Sequence, residues 1–157
     1  MNDDERFMKE ALAEARLAMS VDEIPVGAVI VADGHIIGRG HNLTETLNDV
    51  TAHAEMQAIT AASEYLGAKY LPQCTLYVTV EPCVMCAGAI GWSQLGRLVY
   101  GAEDEKRGFS RLAPKVLHPK TKVLGMPLKE LYRHPRNHEH PLQREYRKPV
   151  GASCLHQ

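Results

Sequence analysis

Two short segments, His53-Ala54-Glu55 and Pro82-Cys83-Val84-Met85-Cys86, constrain this chain more than any other feature, because their side chains make chemical sense only if the fold brings them together. One imidazole and two thiols are soft donors of the kind that hold zinc tetrahedrally, and a catalytic zinc keeps one position for water or substrate. A structural zinc site takes four protein donors. Three donors plus a carboxylate therefore point to a centre that activates water, with a structural site beside an unrelated acid as the weaker reading. Two thiolates cancel the charge of the ion and leave a milder Lewis acid, so a base must take the water proton, and Glu55 is the candidate. Cys83 and Cys86 are three residues apart, which brings both sulfurs to one face if the segment opens a helix, where free N–H groups favour thiolates. Spacing alone does not explain His53 and Glu55, since residues two apart on a regular helix do not face each other.

The surrounding pattern alternates helix and strand up to about residue 101. Phe7, Ala11, Leu12, Ala15 and Met19 recur at helical spacing, predicting an opening helix with one apolar side. Val26 to Val31 and Ile36 to Gly40 read as hairpin strands around an Asp33-Gly34 turn. Asp49 and Thr51 suit the start of a helix that carries His53 and Glu55 in its first turn and stops at Gly67. Cys74 to Val80 and Arg97 to Gly101 read as further strands, each flanked by helix. Helices between strands imply parallel neighbours and an α/β class protein with α/β/α layers, the metal-binding segments meeting where helices begin beside strand ends.

A chain of 157 residues, 45% hydrophobic and 24% charged, suits one domain with a sizeable core. It shows no apolar run long enough for a membrane span, no signal-like start, and thiols better explained as ligands than as disulfides, so a cytoplasmic location is expected. The net charge of −1 conceals a division: residues 1–102 hold six Lys and Arg against thirteen Asp and Glu, whereas residues 103–157 hold twelve against six. The second part is either a phosphate-facing surface or a solvated basic tail. Cys74 reads as a small buried side chain, Cys154 as an incidental thiol, Trp92 as core or interface packing, and His41 as structural or pocket-lining.

His-x-Glu with Pro-Cys-x-x-Cys is the general signature of zinc nucleobase deaminases. Together with Glu23-Ile24-Pro25-Val26-Gly27-Ala28-Val29, Gly40-His41-Asn42, Thr51-Ala52-His53-Ala54-Glu55, Glu81-Pro82-Cys83-Val84-Met85-Cys86-Ala87-Gly88-Ala89 and Gly101-Ala102-Glu103-Asp104-Glu105-Lys106, it makes the first two thirds of the chain resemble the bacterial tRNA-specific adenosine deaminases. The resemblance implies a cytidine-deaminase-like fold, three layers with a central mixed sheet. It implies one zinc ion per subunit on His53, Cys83 and Cys86, with Glu55 as proton shuttle. By the same analogy Asn42 hydrogen-bonds the purine edge, Ala54, Pro25 and Val26 shape the pocket, and Asp104 and Lys106 touch flanking nucleotides. The implied reaction is hydrolysis of adenosine to inosine at the wobble position of a tRNA anticodon loop, by a homodimer. Alternatives are a deaminase of a free base, nucleoside or nucleotide such as guanine, cytosine or cytidine, from which fold and metal do not separate the RNA enzyme, and a non-catalytic RNA-binding subunit, against which the presence of Glu55 argues.

The resemblance is to a deaminase core over residues 1–112. From 113 to 157 the chain departs from it: relatives end in an amphipathic helix, whereas here Pro119, Pro127, Pro135, Pro141 and Pro149 interrupt the segment and His118, His134, His138, His140 and His156 are scattered through it. Only Pro127 to Tyr132 suggests a turn of helix, and an irregular segment is expected. Either a basic arm replaces the usual helix, or a shifted reading frame has replaced the family's end; a second metal site on the histidines has no recognisable ligand spacing.

Overall fold

Residues 1–128 of the computed structural model are described here. Asn2 caps the first helix, α1 (Asp3–Ser20), through a reciprocal pair of hydrogen bonds with Glu5, and three acidic residues in its first turn complement the helix dipole. β1 (Gly27–Ala32) and β2 (His35–His41) form the expected hairpin. Asp33 and Gly34 both adopt positive φ, 50° and 75°, as a two-residue turn of the right twist requires. α2 (Ala54–Leu66) follows and ends at Gly67 in the left-handed conformation. β3 (Cys74–Val80), α3 (Val84–Trp92), β4 (Arg97–Ala102), the short α4 (Phe109–Leu112) and β5 (Lys122–Gly125) complete the described chain.

The strands form one mixed sheet in the order β2-β1-β3-β4-β5. β1 pairs antiparallel with β2 and β3, while β3, β4 and β5 are mutually parallel neighbours. Side chains alternate across the central strands. Ala28 and Ile30 of β1 join Leu76, Val78, Ala58, Ala62, Ala87 and Ile90 in the core under α2 and α3. Val29 and Val31 join Tyr77, Val99, Phe7, Met8, Leu12 and Ala15 in the core under α1. The result is the three-layer α/β/α arrangement.

Three features differ from the sequence expectations. α2 begins after His53, not at Asp49 or Thr51; Asp49 instead accepts from the backbone and hydroxyl of Thr51, closing a turn ahead of the helix. Met19 is 40% exposed and Trp92 85% exposed, so neither is core in this chain, and Met8 and Ala18 complete the buried side of α1 instead. β5 was not expected in the Pro-rich segment. Its register with β4, Arg97 against Lys122 through Tyr100 against Gly125, supplies backbone partners to a stretch whose own pattern is not strand-like. Most of the predicted Pro127–Tyr132 turn and all later residues, including His134, His138, His140, His156 and Cys154, lie outside the described residues. Among the described residues, no helix is long and apolar enough to cross a membrane.

Candidate metal and active site

Each half of the metal motif sits where a helix begins. Cys83 is the N-cap of α3 and Cys86 lies in its first turn; His53 is the N-cap of α2 and Glu55 lies in its first turn. The convergence of His53 and Glu55 thus has a simple cause: His53 is still extended, with φ −71° and ψ 158°, so helical spacing does not govern the pair. α2 lies tightly on β2 because Gly40 carries no side chain; a Cβ there would collide with the Ala54 carbonyl. That contact fixes the start of α2 against the sheet.

The donor atoms of His53, Cys83 and Cys86 all lie within 4.8 Å of one another. His53 Nδ1 is 3.6 Å from Cys83 Sγ and 3.4 Å from Cys86 Sγ. Bonds of about 2.3 Å to sulfur and about 2.05 Å to nitrogen at a tetrahedral angle put those donors about 3.6 Å apart, so the donor set fits zinc in both chemistry and span. Without a cation the two thiols share a proton. Cys83 is pulled down to about 4, chiefly by the hydrogen bond with Cys86, while that bond and burial push Cys86 far up. A bound divalent cation favours both thiolates and releases that proton.

Glu55 is completely buried beside the Cys86 thiol, and neither carboxyl oxygen makes a hydrogen bond of good geometry. Burial raises its pKa to about 7, with the nearby Cys83 thiolate adding to the effect. A carboxyl group balanced near neutrality suits proton transfer in both directions. Asn42 is equally buried, and its amide oxygen and nitrogen lack partners. Its backbone N–H donates to the Val26 carbonyl at 3.1 Å, which ties it to the Pro25-Val26 stretch, and Pro25, Val26 and Ala54 are all buried. Buried polar groups left unsatisfied are costly, and several together indicate a site built for something else to satisfy.

Asp104 and Lys106 stand apart in the turn after β4. Lys106 is exposed, whereas one Asp104 oxygen accepts from the backbone N–H groups of Lys106 and Arg107 and so shapes the turn. The turn reaches the metal segment through the backbone: Gly108 bridges Cys83, and the Phe109 N–H donates to the Pro82 carbonyl at 3.0 Å. His41 does not stand alone, its Nδ1 lying 2.9 Å from Glu14. Sequence reasoning assigned no role to two buried acids near the site. Glu23 accepts from the backbone and hydroxyl of Thr46 and pins the loop between Asn42 and His53; Glu81 accepts from Ser110. The available signal was an acidic residue set directly against an apolar run, Val-Thr-Val-Glu-Pro in the second case.

A three-donor cation site at two helix starts, beside a buried carboxyl group on an α/β/α frame, defines the centre of a zinc-dependent nucleobase deaminase. The MafB19-like deaminase family model matches residues 2–143. A tRNA-specific adenosine deaminase of Agrobacterium fabrum is 56% identical over 102 residues, 65% of this chain and 67% of that one. One from Aquifex aeolicus is 45% identical over 131 residues, 80% and 87% of the two chains. The match spans 60 to 64% of the length of the Streptococcus pyogenes relatives. Among solved structures, one from work on A-to-I editing by tRNA:A34 deaminases at the wobble position is 47% identical, with TM-score 0.72 over 77% of this chain and 97% of that one. A guanine deaminase from Bacillus subtilis is 48% identical, with TM-score 0.62 over 66% of each chain. The chain belongs to the MafB19-like deaminase family and, with the Aquifex aeolicus relative, to its tRNA-specific adenosine deaminases.

Proposed function

We propose that this protein converts adenosine to inosine in tRNA, at the wobble position of the anticodon loop, by hydrolytic loss of the C6 amine. The observation that carries the reading is the pairing of the three-donor cation site with two wholly buried, unsatisfied side chains, Glu55 and Asn42. Zinc, when bound, supplies a Lewis acid that lowers the pKa of water. Glu55 takes a proton from that water and delivers it to the purine ring nitrogen as carbon 6 is attacked. It then passes the second proton to the departing amine, so that adenosine and water become inosine and ammonia. Asn42 offers both a donor and an acceptor to the purine edge. Pro25, Val26 and Ala54 exclude water around the base, and Asp104 and Lys106 meet the nucleotides on either side. The base must leave its stack, which costs less in a single-stranded loop than in a duplex. A tRNA substrate is in keeping with a cytoplasmic enzyme, and two subunits would together frame an RNA groove.

The likeness to a guanine deaminase keeps one rival in view, since the same metal core can serve a free base. The test is a competition assay in which zinc-loaded protein is offered an anticodon stem-loop RNA, free guanine and cytidine. Inosine formed in the RNA, with affinity falling steeply as salt rises, is the expected outcome. Conversion of a free base alone would overturn the assignment.

A further inference from the structure

Glu81 is the acid that the reaction leaves unused. It stands at the end of β3, one residue before Pro82 and two before the metal donor Cys83, and is 3% exposed. Its N–H donates to the Ala102 carbonyl at 2.8 Å, and its Oε1 accepts from the Ser110 hydroxyl at 3.0 Å. Oε2 is buried without a hydrogen-bond partner and lies against Gly108, where any Cβ would collide with it. Burying a carboxyl group this way is costly, so its place is set by what it holds together.

What it holds together is the link between metal and loop. Gly108 donates its N–H to the Asp104 carbonyl at 3.0 Å and bridges Cys83 on its other side. The Glu81 carboxyl group thus lies against the residue where the Asp104–Gly108 turn meets the donor segment, and its bond to Ser110 fastens the chain that follows. We propose that Glu81 is a positioning residue that locks Cys83 to the 104–110 segment, coupling retention of the metal to the seating of the loop that faces substrate. The second half rests on the RNA reading above; the first does not.

Glu81→Ala, Glu81→Gln and Ser110→Ala test this, each read by competition for zinc with a chromophoric chelator and by KM and kcat on an anticodon stem-loop. Groups that orient metal ligands typically contribute about 10-fold to 100-fold in metal affinity. Glu81→Ala is expected to lose zinc at least about 10-fold more readily and to raise KM more than it lowers kcat. Glu81→Gln keeps an oxygen for Ser110 and should retain zinc nearly as the parent does. Ser110→Ala, at an exposed position, should move zinc affinity in the same direction by less, and decides the matter if Glu81→Ala does not fold. Parental zinc affinity in folded Glu81→Ala, or a Glu81→Gln as weak as Glu81→Ala, would overturn the proposal. If the RNA is not a substrate, the zinc measurement still decides the role of Glu81.

Discussion

Burial of Glu55 makes its carboxyl group a liability to the fold as well as the proton carrier of the proposed reaction. Its pKa rises from 4.5 to about 7 on folding, so the neutral form is favoured and stability falls as pH climbs through that window. In metal-free protein, replacing Glu55 by Gln removes the cost of charging. Thermal melts in a chelator should therefore show Glu55→Gln melting above the parent at pH 8, with the gap closing below about pH 4.5, where both side chains are neutral in both states. A parent that melts no lower than the variant at pH 8 would contradict this reading of the site. At this scale the donors were legible because zinc limits which side chains can bind it, and three donors with one acid leave few alternatives. The meeting of His53 and Glu55 was not legible, because it depends on a helix boundary falling between them. The roles of Glu23 and Glu81 were hidden for another reason: their partners, Thr46 and Ser110, are 23 and 29 residues away.

At the scale of elements, α1 is fastened at its first turn by a polar clamp. Asp4 receives two 2.7 Å hydrogen bonds from the Arg97 guanidinium of β4 and a third, also 2.7 Å, from the Tyr77 hydroxyl of β3. The Arg97 hydrogen bond holds the Asp4 pKa below its ordinary 3.8. A depressed carboxylate contributes stability above its unfolded pKa and loses it as pH falls toward the folded value. Asp4→Asn should lower stability at pH 7 by about 1 kcal/mol, a modest figure because the clamp keeps some contact with water. Urea titrations should show the difference shrinking once pH drops below 3.8; an unchanged difference there would assign the effect to packing. Alternating and helical periodicities revealed α1, the hairpin, β3 and β4, since each buries a regular set of side chains. β5 escaped because all four of its residues are exposed: β4 imposes the strand through backbone pairing, and no side-chain pattern announces it. Of the two packing roles expected of Trp92, core and interface, its exposure removes the first, as a large apolar residue carries no label for which side of a helix faces out.

Across the whole molecule, the sheet places the beginnings of α2 and α3 side by side, so a site assembled from residues 53–55 and 83–86 follows from topology as much as from motif. The hairpin makes the sheet mixed, whereas strand and helix alternation alone suggested parallel neighbours. The basic excess of residues 103–157 is split evenly between residues 103–128 and residues beyond 128, the latter outside the described structure, and its bearing on RNA rests on charge alone. The account as a whole depends on a division of labour in which three donors hold the metal and Glu55 moves the protons. Measuring zinc content and turnover together in Glu55→Ala tests it most directly. The account predicts about one zinc ion per chain, as in the parent, with turnover reduced by at least about 100-fold; a zinc-loaded variant that turns over like the parent would contradict it.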